Sequence, residues 1–196
     1  MLIYISIIAC MAIISSVNVI FPALCEGLTW WQIILSTVGF TAGVILIDGI
    51  AALIVRRVLP QRWFWRGTRL VRVRPFEKKL YTALGIKKWK EKIPELGGFT
   101  NFHKDKIYRP TDNEYVALYI REANSGAFGH LMGMISGFLI VAVVPRTFLW
   151  ISLPVAIVNF VLSAMPMMIL RFNLPKLETL YKLNEKRASR SNGTKS

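Results

Sequence analysis

The placement of basic residues constrains this chain more than anything else. Residues 1–55 contain no Lys or Arg, and residues 56–121 hold 17 of the 25. Two apolar blocks flank that basic middle. An apolar stretch near 20 residues can cross a bilayer as a helix, and short loops rich in Lys and Arg stay on the cytoplasmic side. The pattern predicts an all-α membrane protein with about four transmembrane helices, plus amphipathic interfacial helices in a basic cytoplasmic segment.

The expected spans are about 2–21, 31–55, 128–144 and 148–170. Four stretches follow: an N-terminal transmembrane hairpin (1–55), a basic interfacial segment (56–127), a C-terminal transmembrane hairpin (128–170) and a cytoplasmic tail (171–196). Only Arg146 marks the turn between the last two spans, so both termini and the middle are expected in the cytoplasm of a multi-pass cell-membrane protein. Trp30, Trp31 and Trp150 would form one interfacial belt, with Trp63, Trp65 and Trp89 near the other interface. The N-terminal apolar run lacks a basic start and a clean small-x-small cleavage site, which reads as an uncleaved anchor.

The chain is 54% hydrophobic with a formal charge of +14. Without a zinc-finger, helix-turn-helix or RNA-binding signature, that charge points to anionic membrane lipids, and no nucleic-acid partner is expected. Cys10 and Cys25 form no CxxC pair, and His103 and His130 are far apart, so no metal site is expected.

Within the middle, Pro75 suits a first helical turn. Phe76, Leu80 and Leu84 repeat every four residues, and after Gly85 come Ile86, Trp89 and Ile93 among Lys87, Lys88, Lys90 and Lys92. This predicts two short amphipathic helices in the headgroup plane. Residues 94–99 read as a turn, His103 as solvated, and Asp112 as the cap of a helix running through Glu122 into the third span. Gly129, Gly133 and Gly137 share one face of that span. Such a face suits close helix packing and would also permit oligomerisation. Pro166 predicts a kink near the end of the fourth span, and residues 189–196 read as a disordered tail.

Several costly polar groups gather at the cytoplasmic level: Asp48, Glu122, His130, Arg171 and Asn173. Ionisable groups at membrane depth are functional candidates, and these five are expected to share a cavity. Asp48 has a structural alternative, pairing with Arg56, Arg57 or another helix. His130 is the best acid–base candidate, because a neutral imidazole can take a proton near pH 7. Its bland alternative is a hydrogen bond to backbone. Glu122 and His130 lie about 12 Å apart along a straight helix, so they meet only if the helix breaks near Ser125-Gly126. There is no GxSxG elbow, no Walker loop, and no Asp five residues after either His.

Three segments together resemble the glycosyl-4,4'-diaponeurosporenoate acyltransferase family, small bacterial membrane enzymes of staphyloxanthin-type carotenoid synthesis. They are residues 74–93 (RPFEKKLYTALGIKKWKEKI), Glu122 followed by His130, and residues 165–177 (MPMMILRFNLPKL). The matching positions are Phe76, Glu77, Lys88, Trp89, Lys90, Glu122, His130, Pro166, Arg171, Asn173, Pro175 and Leu177. Leu170, Phe172, Leu174 and Lys176 stand where the family has Gln, Tyr, Arg and Arg. The resemblance implies acylation of a sugar hydroxyl on a glycosylated carotenoid.

With the residue reading, this gives an expected membrane acyltransferase acting on a glycolipid or glycosylated terpenoid at the cytoplasmic leaflet. His130 and Glu122 are the expected catalytic pair. Arg171, Asn173, Asp48, Lys87, Lys88, Trp89 and Lys90 are the expected substrate-binding residues. The partners are membrane lipids, the acceptor and an acyl donor, with no cofactor beyond an acyl thioester co-substrate. The alternative from the same residues is a non-catalytic lipid-binding or scaffolding protein.

Overall fold

The structure, a computed structural model, describes residues 2–66, 68–69, 71–93 and 107–193. The expected turn at 94–99 and the solvated His103 lie outside them. All regular structure among the described residues is helical. The helices are α1 (Leu2–Ile20), α2 (Trp30–Leu53), α3 (Pro75–Ala83), α4 (Ile86–Trp89), α5 (Asn113–Ser136), α6 (Leu139–Val143) and α7 (Leu149–Gly193). A π-helical turn, Ile54–Val58, extends α2.

Three helical stretches are long and apolar enough to cross a membrane: Trp30–Val58, Asn113–Val143 and Arg146–Arg190. The shorter apolar helix Ile5–Ile20 precedes them. The chain divides into two compact units. Residues 1–57 and 129–165 make the first, and residues 58–128 and 166–196 make the second. The second carries 22 of the 25 Lys/Arg and 9 of the 11 Asp/Glu.

In the first unit, α1 and α2 form a hairpin around Gly27, whose φ of +80° suits a residue without a side chain. Its core joins Ile14, Cys25, Ile33, Val44, Ile140, Ile151, Val155 and Ala156. A buried polar residue is explained here. Pro154 has no N–H, so the Trp150 carbonyl one turn earlier loses its helical partner. Asn18 Nδ2 donates to that carbonyl at 3.2 Å and to the Ile14 carbonyl at 2.8 Å. Its Oδ1 accepts from Cys25 Sγ at 3.1 Å. Trp30, Trp31 and Trp150 are all exposed.

In the second unit, α3 begins at Pro75 as expected, and Gly85, at φ +65°, turns the chain into α4. The two short helices behave differently. Phe76 and Leu80 of α3 and its C-cap residue Leu84 are 58%, 48% and 49% exposed, an apolar stripe open to its surroundings. Ile86 of α4 is fully buried in a cluster with Tyr81 and Ile169, and Trp89 and Ile93 pack against it. The expectation that both apolar faces meet lipid is therefore corrected for α4. The turn at Gly85 aims its apolar residues at α7 instead.

Asp112 caps α5 as expected, accepting from the Glu114 and Tyr115 amides at 3.0 and 3.1 Å. The third apolar block does not start its own helix. It begins within α5, which stays helical through Ser125-Gly126, and ends in α6.

Helix α7 is one element of 45 residues that runs unbroken through Pro154, Pro166 and Pro175. At 1.5 Å per residue it is about 68 Å long, twice what a bilayer core requires. The stretch from 171 onward continues α7. Asn184 Nδ2 donates to the Pro110 carbonyl at 2.7 Å, and the Arg66 guanidinium lies 4.0 Å from the Tyr181 ring centroid. Residues 189–193 are helical rather than disordered.

Candidate functional site

The first unit places Asp48 and His130. Asp48 finds its partners on another helix, one of the two structural alternatives above. Asn159 Nδ2 donates to its Oδ1 at 3.3 Å and Ser163 Oγ to its Oδ2 at 3.2 Å. Asn159 also donates to the Gly133 carbonyl at 3.3 Å. Gly133 of α5 and Gly137 just after it make room for this cluster. A Cβ at Gly133 would sit 2.9 Å from Asp48 Oδ1, and one at Gly137 would sit 2.6 Å from Asn159 Nδ2. At Gly133 and Gly137 that glycine face is thus filled from within the chain. Asn159 and Ser163 were not singled out from sequence, although their spacing of four puts both on one face of a helix.

His130, on α5, is half-buried, and among the described residues it has no hydrogen-bond or ion-pair partner. The backbone-bonded alternative is not what the structure holds. Because α5 is continuous, Glu122 and His130 stay about 12 Å apart along its axis.

The second unit holds the other residues. Arg171 Nε and Nη2 donate to Glu77 at 2.5 and 2.8 Å, and Nη2 also reaches the Arg72 carbonyl at 3.2 Å. Glu77 further accepts from the Arg74 amide at 2.9 Å and from Tyr81 Oη at 3.0 Å. Burial by itself would raise the Glu77 carboxyl. The hydrogen bond from Arg171, then that from the Arg74 amide, the Arg171 charge and the Tyr81 hydroxyl outweigh it and hold the group below the usual carboxylate range. Tyr81 is pushed up to about 12, by burial first and then by Glu77. It therefore remains a neutral donor. Arg171 is an expected substrate-binding residue, and two of its three nitrogens are committed to α3 and its flank. Its place in the structure is that of a tie between α3 and α7.

Asn173 faces a groove of about 540 Å³ in the second unit, together with Lys90, Glu91 and Lys176. Lys87 and Lys88 are exposed, and the Lys92 side chain lies outside the described residues. Trp89 packs in the α4 cluster and its Nε1 donates to the Leu84 carbonyl at 3.0 Å. The five residues expected to share a cavity fall in both units. Asp48 and His130 belong to the first unit, the other three to the second. Among the described residues, no three His, Cys, Asp or Glu side chains cluster as a metal site would need.

The glycosyl-4,4'-diaponeurosporenoate acyltransferase family matches residues 60–183, close to two-thirds of the chain. The chain belongs to this family. It is therefore an acyltransferase, and the enzyme reading prevails over the scaffold. The matched region contains His130, Glu122, the Glu77–Arg171 tie and the groove. No curated protein and no solved structure matches the chain.

Proposed function

We propose that this acyltransferase moves a fatty acyl group from a thioester to a sugar hydroxyl of a glycosylated carotenoid or similar glycolipid, at the cytoplasmic leaflet. The family match supports the reaction class. The observation that carries the mechanism is the His130 imidazole, half-buried and with no hydrogen-bond partner among the described residues. Polar groups in such surroundings are ordinarily satisfied, so an unpartnered imidazole is available to a substrate hydroxyl.

In this reading His130 takes the proton of the acceptor hydroxyl as its oxygen attacks the thioester carbonyl. The C–O bond forms, the C–S bond breaks, and the proton leaves with the thiolate as a thiol. Glu122 is too far along α5 to orient His130, so its role is toward the acceptor. Asn173 binds the donor. Arg171 positions α3 rather than touching substrate. The exposed Lys87 and Lys88 attract anionic headgroups, each worth about 1 kcal/mol near a charged surface. Asp48 locks the helices of the first unit together. The topology has four spans, α1 included, with both termini inside, as the positive-inside rule requires for this distribution of Lys and Arg.

The test is His130→Gln, which keeps size and some hydrogen bonding but removes the proton acceptor. Acyl transfer to extracted glycolipid, in purified membranes at matched protein amounts, should fall by about 10²–10⁴-fold. Full turnover by the variant would remove His130 from the mechanism.

A further inference from the structure

The groove of the second unit has a composition that the reaction at His130 does not explain. Its buried wall is apolar: Tyr119, Ala123, Ile169 and Leu177 are each at most 6% exposed. Its open side carries Lys90, Lys176 and Asn173, with one opposing carboxylate, Glu91. Asn173 and Lys176 lie three apart on α7, so both project from one face of that helix. Neither lysine has an ion-pair partner among the described residues, and the Asn173 carboxamide has no hydrogen bond there. The closest partner given for Lys176 Nζ is the Phe172 ring, 5.5 Å to its centroid. Unneutralised cations and an idle amide beside an apolar wall describe a receptor for an anionic amphiphile. The volume, about 540 Å³, is in the range of small-molecule sites.

Of the two substrates in the proposed reaction, one has that chemistry. A glycosyl ester acceptor carries no formal charge. A fatty acyl thioester on a phosphate-bearing carrier has phosphates at one end and an alkyl chain at the other. We propose that this groove is the acyl-donor site, with Lys90, Lys176 and Asn173 holding the phosphate-bearing end and the apolar wall accepting the chain. This assignment rests on the acyl-transfer reading. It adds the phosphate-bearing character of the donor and two lysines that recognise it beside Asn173.

The experiment uses the full chain in a micelle of uncharged detergent and a non-transferable thioether analogue of lauroyl-coenzyme A, with binding followed by calorimetry. Lys90→Gln with Lys176→Gln should weaken binding about 30-fold at low salt, at about 1 kcal/mol per charge. The difference should shrink as salt is raised. Lys182→Gln, an exposed lysine outside the groove, should bind as the parent does. A lauroyl-pantetheine analogue without phosphates should bind parent and double variant equally. Parental affinity in the double variant overturns the assignment. So does full displacement of the analogue by micellar phosphatidylglycerol at equal concentration, which would make the groove a lipid-headgroup site. If the parent binds the analogue through both lysines yet forms no ester from lauroyl-coenzyme A and acceptor, the donor site stands and the proposed acceptor falls.

Discussion

Glu77 and Arg171 are 94 positions apart and form a buried bidentate ion pair, with side chains 10% and 18% exposed. Removing one partner of such a pair leaves the other charge buried and unpaired, at a cost of about 3–5 kcal/mol. Glu77→Gln should therefore lower the thermal unfolding midpoint of the purified protein clearly, and Tyr81→Phe, which removes one neutral donor, should lower it less. The pH dependence has a definite sign. The folded-state pKa of Glu77 lies below its unfolded value. The stabilisation is therefore complete above the ordinary carboxylate pKa, about 4.3, and is lost as pH falls through the depressed folded value. Midpoints of parent and Glu77→Gln should differ at neutral pH and converge under acid. A constant gap across that range would show that the ion pair is not its source. Sequence marked Glu77 only through family resemblance, and Arg171 also through its cost at membrane depth. Their mutual contact was invisible because nothing local links position 77 to position 171.

At the level of elements, α5 shows how a regular spacing conceals unequal parts. Gly129, Gly133 and Gly137 look equivalent at intervals of four. In the structure a Cβ at Gly129 comes no closer than 4.0 Å to the Ala52 backbone, whereas Gly133 and Gly137 abut Asp48 and Asn159. Gly133→Ala and Gly137→Ala must displace those side chains and break hydrogen bonds worth about 1–3 kcal/mol when left buried and unmade. Gly129→Ala should be tolerated, as should Gly49→Ala, where a Cβ meets nothing within 4 Å. Thermal stability of the four variants in one detergent checks the order. Equal loss at all four would mean that helix contact in general, not the Asp48 cluster, explains the glycines. Helix α3 teaches a related point. Its periodicity correctly marked Phe76, Leu80 and Leu84 as one stripe, but its buried face is the polar one, Glu77 and Tyr81. In a soluble protein that would be inverted. Beside a membrane the apolar stripe has a solvent of its own.

For the whole molecule, the topology is the property to test. With Cys10 and Cys25 replaced by Ser, single cysteines at Thr82 and Ser189 should resist an impermeant thiol reagent in intact cells. Cysteines at Glu26 and Thr147, both exposed in the loops of the first unit, should react. Labelling at Thr82 or Ser189 without permeabilisation would reverse the orientation. Membrane class, helical content, the cap at Asp112 and the break at Gly85 were all readable along the chain. Each depends on local composition or on spacing within one helix, and a bilayer punishes any other solution for a long apolar run. The family too was readable, because its motifs are short and linear. What only the tertiary structure decided are the pairings between distant helices: Asn18 with the carbonyl that Pro154 leaves open, Asp48 with Asn159 and Ser163, Glu77 with Arg171, and Lys90 with Lys176 and Asn173 around one groove. A one-dimensional pattern shows that a polar residue in an apolar helix needs a partner. Which partner it finds depends on how the helices cross, and that is set by side-chain packing over the whole fold.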